Sequence, residues 1–319
     1  MAVVSQVIKI LGANEKDTPK EQYFYGLVEK NVLITGAYGQ LGNEIRLISE
    51  SENMPFRFHF TDSDKLDITN RDQVEEFVRI NNIRYIINCA AYTAVDKAET
   101  ERDKAFEINV TGVANIAEVA KMYDVKVIHI STDYVYDGSA ELPYKEDVTP
   151  NPLSVYGDTK LKGEQQLKLI LKDSIIIRTS WLYSQFGSNF VKSMISLMNR
   201  LDLLKVVEDE KGSPTYAADL AEMIVHILKF TEENEWISGV YHFANRGEVT
   251  RLDFAKEIKR VAGIDNCEIM PIKSAEYGSV VKRPAYSALD SSKISNTFMV
   301  EIPRWEDSLK RCIGRILES

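Results

Sequence analysis

Short apolar runs alternate along the first part of the chain with longer stretches in which apolar positions recur every three or four residues. The runs are NVLIT (31–35), FRFHF (56–60), YIINCA (85–90), VKVIHIST (125–132) and SIIIRTSW (174–181). Between them lie helical patterns: GAYGQLGNEIRLIS, with Leu41, Ile45 and Ile48 on one face, then 72–80, a long pattern over 104–123, and 154–171. A continuous apolar run of strand length is buried on both faces, and helices of 10–20 residues between such runs are the crossovers of a parallel sheet. The pattern predicts an α/β protein with a Rossmann-like, doubly wound parallel sheet. Right-handed crossovers bring the C-terminal ends of all strands to one edge, which places Thr35, Ala90, Thr132 and Trp181 together where ligands of such sheets bind.

Beyond residue 182 the alternation weakens. Helical patterns at 190–200, 218–230, 251–262 and 305–317 are separated by short strands and by two loop-like stretches, KGSPTYAADL and PIKSAEYGSVVKRPAYSALD. The expected organisation is an N-terminal extension (1–30), a Rossmann domain (31–181) and a mainly ligand-binding, smaller α/β region (182–319) with some segments returning to the Rossmann sheet.

The 319 residues suit about two domains of ordinary size. With 39 basic against 48 acidic side chains the net charge is −9, which argues against nucleic acid or an anionic membrane as partner. It leaves room for a phosphorylated small ligand, because backbone N–H groups at a helix start hold anions whatever the global sign. Three scattered cysteines, Cys89, Cys267 and Cys312, suggest neither a disulfide framework nor a zinc site. No apolar run approaches the ~18 residues of a membrane span. The start MAVVSQVIKILGANEKD lacks a basic leader before a long apolar core, so a cytoplasmic protein is expected.

Gly36-Ala37-Tyr38-Gly39-Gln40-Leu41-Gly42 follows a predicted strand and opens a predicted helix. Glycines allow the tight turn and the close approach of backbone to a pyrophosphate, whose charge meets the helix N-terminus. Three glycines alone fit any tight turn. The strand before, the helix after and Asp62 about 20 residues beyond Gly42 turn the pattern towards a dinucleotide. A carboxylate at Asp62 accepts hydrogen bonds from the adenosine ribose, favouring NADH over the 2′-phosphate of NADPH. Asp67, in LDIT, is placed to approach the adenine amino group.

Tyr156 and Lys160 stand four apart in VYGDTK and share a helix face. A phenol near pKa 10 is a poor acid at neutral pH, and a lysine charge beside it favours the phenolate. A tuned phenol protonates the alkoxide formed when hydride reaches a ketone, while Thr132 at a strand end hydrogen-bonds the carbonyl. The pair by itself also fits an exposed helix face; its place after a strand ending in Ser-Thr-Asp and a glycine turn favours chemistry. Trp181 offers a flat apolar wall for a ligand, or ordinary core packing. Arg283 offers a planar fork for a diphosphate, or a plain surface charge. His59, His129, His226 and His242 lie in apolar stretches without metal spacing and read as packing residues, and Cys89 as a small buried hydrophobe.

These residues sit in longer blocks: LITGAYGQLG, INCAAYTAVDKAE, HISTDYVYDG, PYKEDVTPNPLSVYGDTKLKGE, RTSWLY, GSPTYAADLA, GVYHFAN and RPAYSALD. Through them the chain resembles the extended short-chain dehydrogenase/reductases, and among those the reductases of dTDP-linked 4-keto-6-deoxy sugars, from residue 33 to about 290. The resemblance implies hydride transfer from NADPH or NADH to C4 of dTDP-4-dehydro-β-L-rhamnose, giving dTDP-L-rhamnose for cell-surface polysaccharide. It implies that Tyr156 supplies the proton, that Lys160 binds the nicotinamide ribose, and that Thr132 polarises the ketone. It further implies that Gly36, Gly39, Gln40, Leu41 and Gly42 hold the pyrophosphate and that Asp62, Asp67 and Ile68 surround the adenosine. Ala90, Ala91, Tyr92 and Thr93 would run along the cofactor, and Asp133 and Trp181 would meet the dTDP-sugar. Some members dimerise through Mg²⁺-bound acids; Glu44 and Glu306 stand at such positions but Ala218 takes the place of a third. No structural metal is therefore expected, and a homodimer stays open. Two rivals share the motifs. One is a sugar-nucleotide epimerase or 4,6-dehydratase, although Tyr134 stands where a dehydratase needs an acid. The other is a non-catalytic regulatory subunit of the methionine adenosyltransferase type.

Overall fold

A computed structural model describes residues 30–51, 54–278, 281 and 283–318. The extension predicted over 1–30 lies outside these residues except for Lys30, which starts the first strand. Six strands form one all-parallel sheet: β1 (Lys30–Thr35), β2 (Phe56–Phe60), β3 (Ile83–Asn88), β4 (Lys126–Thr132), β5 (Ile175–Thr179) and β6 (Gly239–Phe243). Their spatial order is β6-β5-β4-β3-β1-β2. The chain leaves β1 in one direction to reach β2 and returns on the other side to β3. The crevice beyond β1 and β3 is thus the switch point at which open α/β sheets bind ligands.

The runs form strands because alternate residues serve two different cores. Val32, Ile34, Ile87, Ile128, Ile175 and Ile177 face one layer, which is closed by α1 (Gln40–Ser51) and by a long helix at Ala217–Glu233. Leu33, Ile86, Val127 and Ile176 face the opposite layer of α2 (Arg71–Ile80), α3 (Gly112–Met122) and α4 (Val155–Ile170). Both faces being covered, polar alternation is lost from the strands in the middle of the sheet and survives in the edge strand β2, Phe-Arg-Phe-His-Phe. Caps fix the helix starts: Asn70 accepts the Gln73 N–H before α2, and Ser154 accepts the Gly157 N–H at 3.1 Å before α4.

A second apolar cluster lies beyond residue 182. It joins α5 (Phe190–Met198), α6 (Ala217–Glu233), α7 (Arg251–Val261) and α8 (Trp305–Glu318) around Phe254 and Leu309. Two elements of this later half serve the first: α6 covers one sheet face, and β6 pairs with β5 from Gly239–Ile175 to Phe243–Thr179. Two expected elements differ. The helix predicted over 104–123 is broken by a π-helical turn at Glu107–Thr111, and the strand predicted to Trp181 ends at Thr179. Trp181 adopts φ 47°, a left-handed conformation in which a strand cannot continue.

Candidate active site

A cleft of about 790 Å³ opens along the C-terminal edge of the sheet. At one end the glycine turn links β1 to α1. Gly36 has φ +62°, and a Cβ there would lie 2.7 Å from Ala90; a Cβ on Gly42 would lie 2.5 Å from Ala37. Only glycine permits this positive φ and these approaches, which let the turn, α1 and the loop after β3 close into one cradle. Gly36, Gly39, Gln40, Leu41 and Gly42 all line the cleft. α1 begins at Gln40, so its unpaired N–H groups favour negative charge at this end. Asp62 lies just past β2 and is locked by two backbone donors, Tyr38 N–H at 3.1 Å and Ser63 N–H at 2.8 Å. Asp67 and Ile68 complete that wall, with the Asp67 carboxylate held by the Thr69 hydroxyl at 2.8 Å.

Along the middle run Ala90, Ala91 and Thr93. Tyr92 does not line the cleft; its ring packs with Ala98, Ala105 and Tyr156. Its backbone is gripped from behind by Asn109, whose Oδ1 accepts the Tyr92 N–H at 2.9 Å and whose Nδ2 donates to the Tyr92 carbonyl at 3.2 Å and to Thr159 at 3.1 Å. Asn109 belongs to the π-helical turn. The extra residue of that turn aims its side chain at the loop after β3, a use typical of such bulges.

Thr132, Asp133, Tyr156, Lys160 and Trp181 line the same cleft. Thr132 ends β4 and donates to Asp133 Oδ1 at 3.1 Å. Burial pushes the Asp133 carboxyl up to about 6, against lowering by Ser287, Thr132 and the Arg251 charge. Burial also raises the Tyr156 phenol above its usual range, with Thr132 as the group that favours the phenolate. The expectation that Lys160 would lower this phenol is not what the structure shows. The Lys160 ammonium donates to the Ile130 carbonyl at 2.7 Å and lies 3.4 Å from His129 Nε2. Burial lowers Lys160 to about 8, while Glu164 and Cys89 act to raise it.

Arg283 is not among the lining residues; its guanidinium lies 3.8 Å from Asp96. Sequence reading missed Asn109, Glu164 and Arg251. Glu164 is buried one turn beyond Lys160 and binds Ser131 at 2.5 Å and Arg178 at 2.6 Å. Its sequence signal was a charge at helical spacing from Lys160, which an exposed face would also show. His129 and His242 do more than fill space: His129 meets Asn88 at 3.0 Å, and His242 meets Tyr136 at 2.9 Å. Glu44 pairs with Ser184 at 2.6 Å and Arg315 at 3.4 Å, whereas Glu306 pairs with Arg304 at 2.7 Å. Among the described residues, no three acids, histidines or cysteines are grouped to hold a metal. Nor is any helix among them long and apolar enough to cross a membrane.

A glycine cradle at a helix start, a fixed carboxylate at the end of β2 and a buried lysine beside the middle of the cleft suit a nicotinamide dinucleotide in size and charge. Parallel sheet and cleft together define an extended short-chain dehydrogenase/reductase. More particularly, the chain belongs to the dTDP-4-dehydrorhamnose reductase family: the family model described as the RmlD substrate binding domain matches residues 30–318. A dTDP-4-dehydrorhamnose reductase from Aggregatibacter actinomycetemcomitans is 40% identical over 285 residues, covering 88% of this chain and 97% of that protein. The crystal structure of a dTDP-4-dehydrorhamnose reductase from Clostridium acetobutylicum superposes with a TM-score of 0.84 at 41% identity, covering 90% of this chain and 99% of that one. That of the reductase from Bacillus anthracis in complex with NADP gives a TM-score of 0.85 at 38% identity, covering 90% and 100%.

Proposed function

We propose that this protein reduces the C4 ketone of dTDP-4-dehydro-β-L-rhamnose to the alcohol of dTDP-L-rhamnose. The observation that carries the reading is the meeting of Thr132, Tyr156 and Lys160 in the same cleft as the glycine cradle. NADPH or NADH, held by the glycine turn, Asp62 and Lys160, supplies the hydride when bound. Thr132 hydrogen-bonds the C4 oxygen and orients it. Tyr156, kept protonated by burial, delivers its proton to that oxygen as negative charge develops on it. Lys160 fixes the ribose, and the phenolate that remains regains its proton from solvent. Trp181 and Asp133 bound the sugar on its other side, and Arg283, whose charge acts on the cleft-lining Tyr134, is the candidate for the diphosphate.

Tyr134 argues against a dehydratase, since a phenol stands where that reaction needs a carboxylic acid to expel water. An intact Thr132, Tyr156 and Lys160 set argues against a purely regulatory subunit. We read 31–181 as the cofactor half and 182–319 as mainly the substrate half, with β6 returning to the sheet. Because NAD(P)H and nucleotide sugars are cytoplasmic metabolites, the same reading places the protein in the cytoplasm.

The test is cofactor oxidation at 340 nm with dTDP-4-dehydrorhamnose and either cofactor. Oxidation should require the sugar nucleotide and fall at least about a hundredfold in Tyr156→Phe, the usual worth of a general acid. A Tyr156→Phe protein as active as the wild type would overturn the mechanism.

A further inference from the structure

Trp181 is held in a way that its role as a wall does not explain. Its backbone sits at φ 47°, a conformation that a bulky residue adopts only when its surroundings compel it. Two contacts do so. The Arg251 guanidinium lies over the indole with its Cζ 3.5 Å from the ring centroid, and the Phe190 ring is 5.0 Å from the same carbon. Gly212 presses against the indole edge: a Cβ there would lie 2.7 Å from Trp181 Cε2 and 2.8 Å from Ser287 Oγ. Arg251 itself is largely buried, and its Nε is ion-paired with Glu210 at 3.6 Å, beyond hydrogen-bond reach. The guanidinium is thus held more by its flat stack on the aromatic face than by a close hydrogen bond at Nε. Arg251 does not line the cleft, whereas Trp181 does.

We infer that Arg251 and Gly212 form a clamp that fixes the Trp181 indole as the wall of the sugar site, making Arg251 a positioning residue for the sugar nucleotide. This rests on the reductase reading above. Fixing the indole before binding spares the substrate the cost of ordering it, so the clamp acts on sugar-nucleotide affinity and leaves cofactor binding alone.

Two variants approach the indole from different sides. Arg251→Lys keeps a charge for Glu210 but cannot stack, and Gly212→Ala intrudes on the ring edge. In folded protein, each should raise KM for dTDP-4-dehydrorhamnose about tenfold, the size of the ordering cost of one large side chain, with kcat within about threefold and NADPH affinity unchanged. Each should also shift tryptophan emission. In a Trp181→Phe background, Arg251→Lys should add almost nothing, since the residue through which it acts is already gone. An unchanged KM in both variants, or penalties of Arg251→Lys and Trp181→Phe that simply add, would overturn the clamp. Should the wild type oxidise neither cofactor with this sugar, the reductase reading has failed; emission then decides separately. A shift on Arg251→Lys that disappears with Trp181→Phe supports the clamp, and no shift refutes it.

Discussion

A lysine ammonium buried at the middle of the cleft is held charged at a cost. Burial lowers Lys160 from 10.5 to about 8. Up to about pH 8 the folded protein bears this whole cost. Between about 8 and 10.5 the folded lysine gives up its proton while the unfolded one keeps it, so stability rises with pH. Lys160→Met removes this contribution: its advantage in urea midpoint over wild type should be larger at pH 7 than at pH 10, and an equal difference at the two values would refute it. On the proposed reading Asp62 bears on cofactor choice through its charge. With both carboxylate oxygens on backbone N–H groups it cannot swing away from a 2′-phosphate. Asp62→Ser should raise the ratio of NADPH to NADH kcat/KM about tenfold, the effect of removing one close like charge in a solvated site. Both residues were legible in the sequence from their place after a strand or on a helix face. The direction of Lys160 was not, because it depends on the Ile130 carbonyl, which comes from another strand.

At the scale of elements, the π-helical turn and α4 are fitted to one another. Gly163 on α4 faces the Asn109 carbonyl, and a Cβ there would come closer to that oxygen than any real side chain does. Gly163→Ala should therefore destabilise by about 1–3 kcal/mol, as overpacking does. It should weaken NADPH binding as well, because the displaced Asn109 loosens its grip on Tyr92. A melting temperature and NADPH affinity equal to wild type would contradict this account. The strands and most helices were readable from periodicity, FRFHF to the residue. The break in the helix after β3 was not, since apolar spacing continues through Glu107–Thr111 and only packing against α4 reveals the bulge.

For the whole molecule, the two halves share one sheet. β6 and α6 arise after residue 182, yet β6 pairs with β5 and α6 buries Leu220, Ile224 and Ile227 completely against the sheet. The buried Arg178–Glu164 pair ties β5 to α4, and Arg178 also donates to Tyr136 at 2.7 Å. A fragment ending at residue 181 exposes β5 and one face of the sheet, so it should lack a cooperative melting transition while the full chain shows one. A soluble fragment with a sharp transition would show that the first half folds alone.

Local pattern by itself determined the class of sheet, most strand positions, the glycine turn and the Thr–Tyr–Lys set. Each of these depends on neighbours in the chain: a run too apolar for an exposed strand, three glycines before a helix, two side chains four apart on one face. The tertiary structure decided which way those groups point and what stands behind them. Lys160 turning to Ile130, Asn109 gripping Tyr92 and Arg251 stacked on Trp181 are pairings between residues 17 to 70 apart, made only when strands and crossovers close on one another. Burial then sets the charge of each group, and burial is a property of the packed chain that no short stretch of sequence carries.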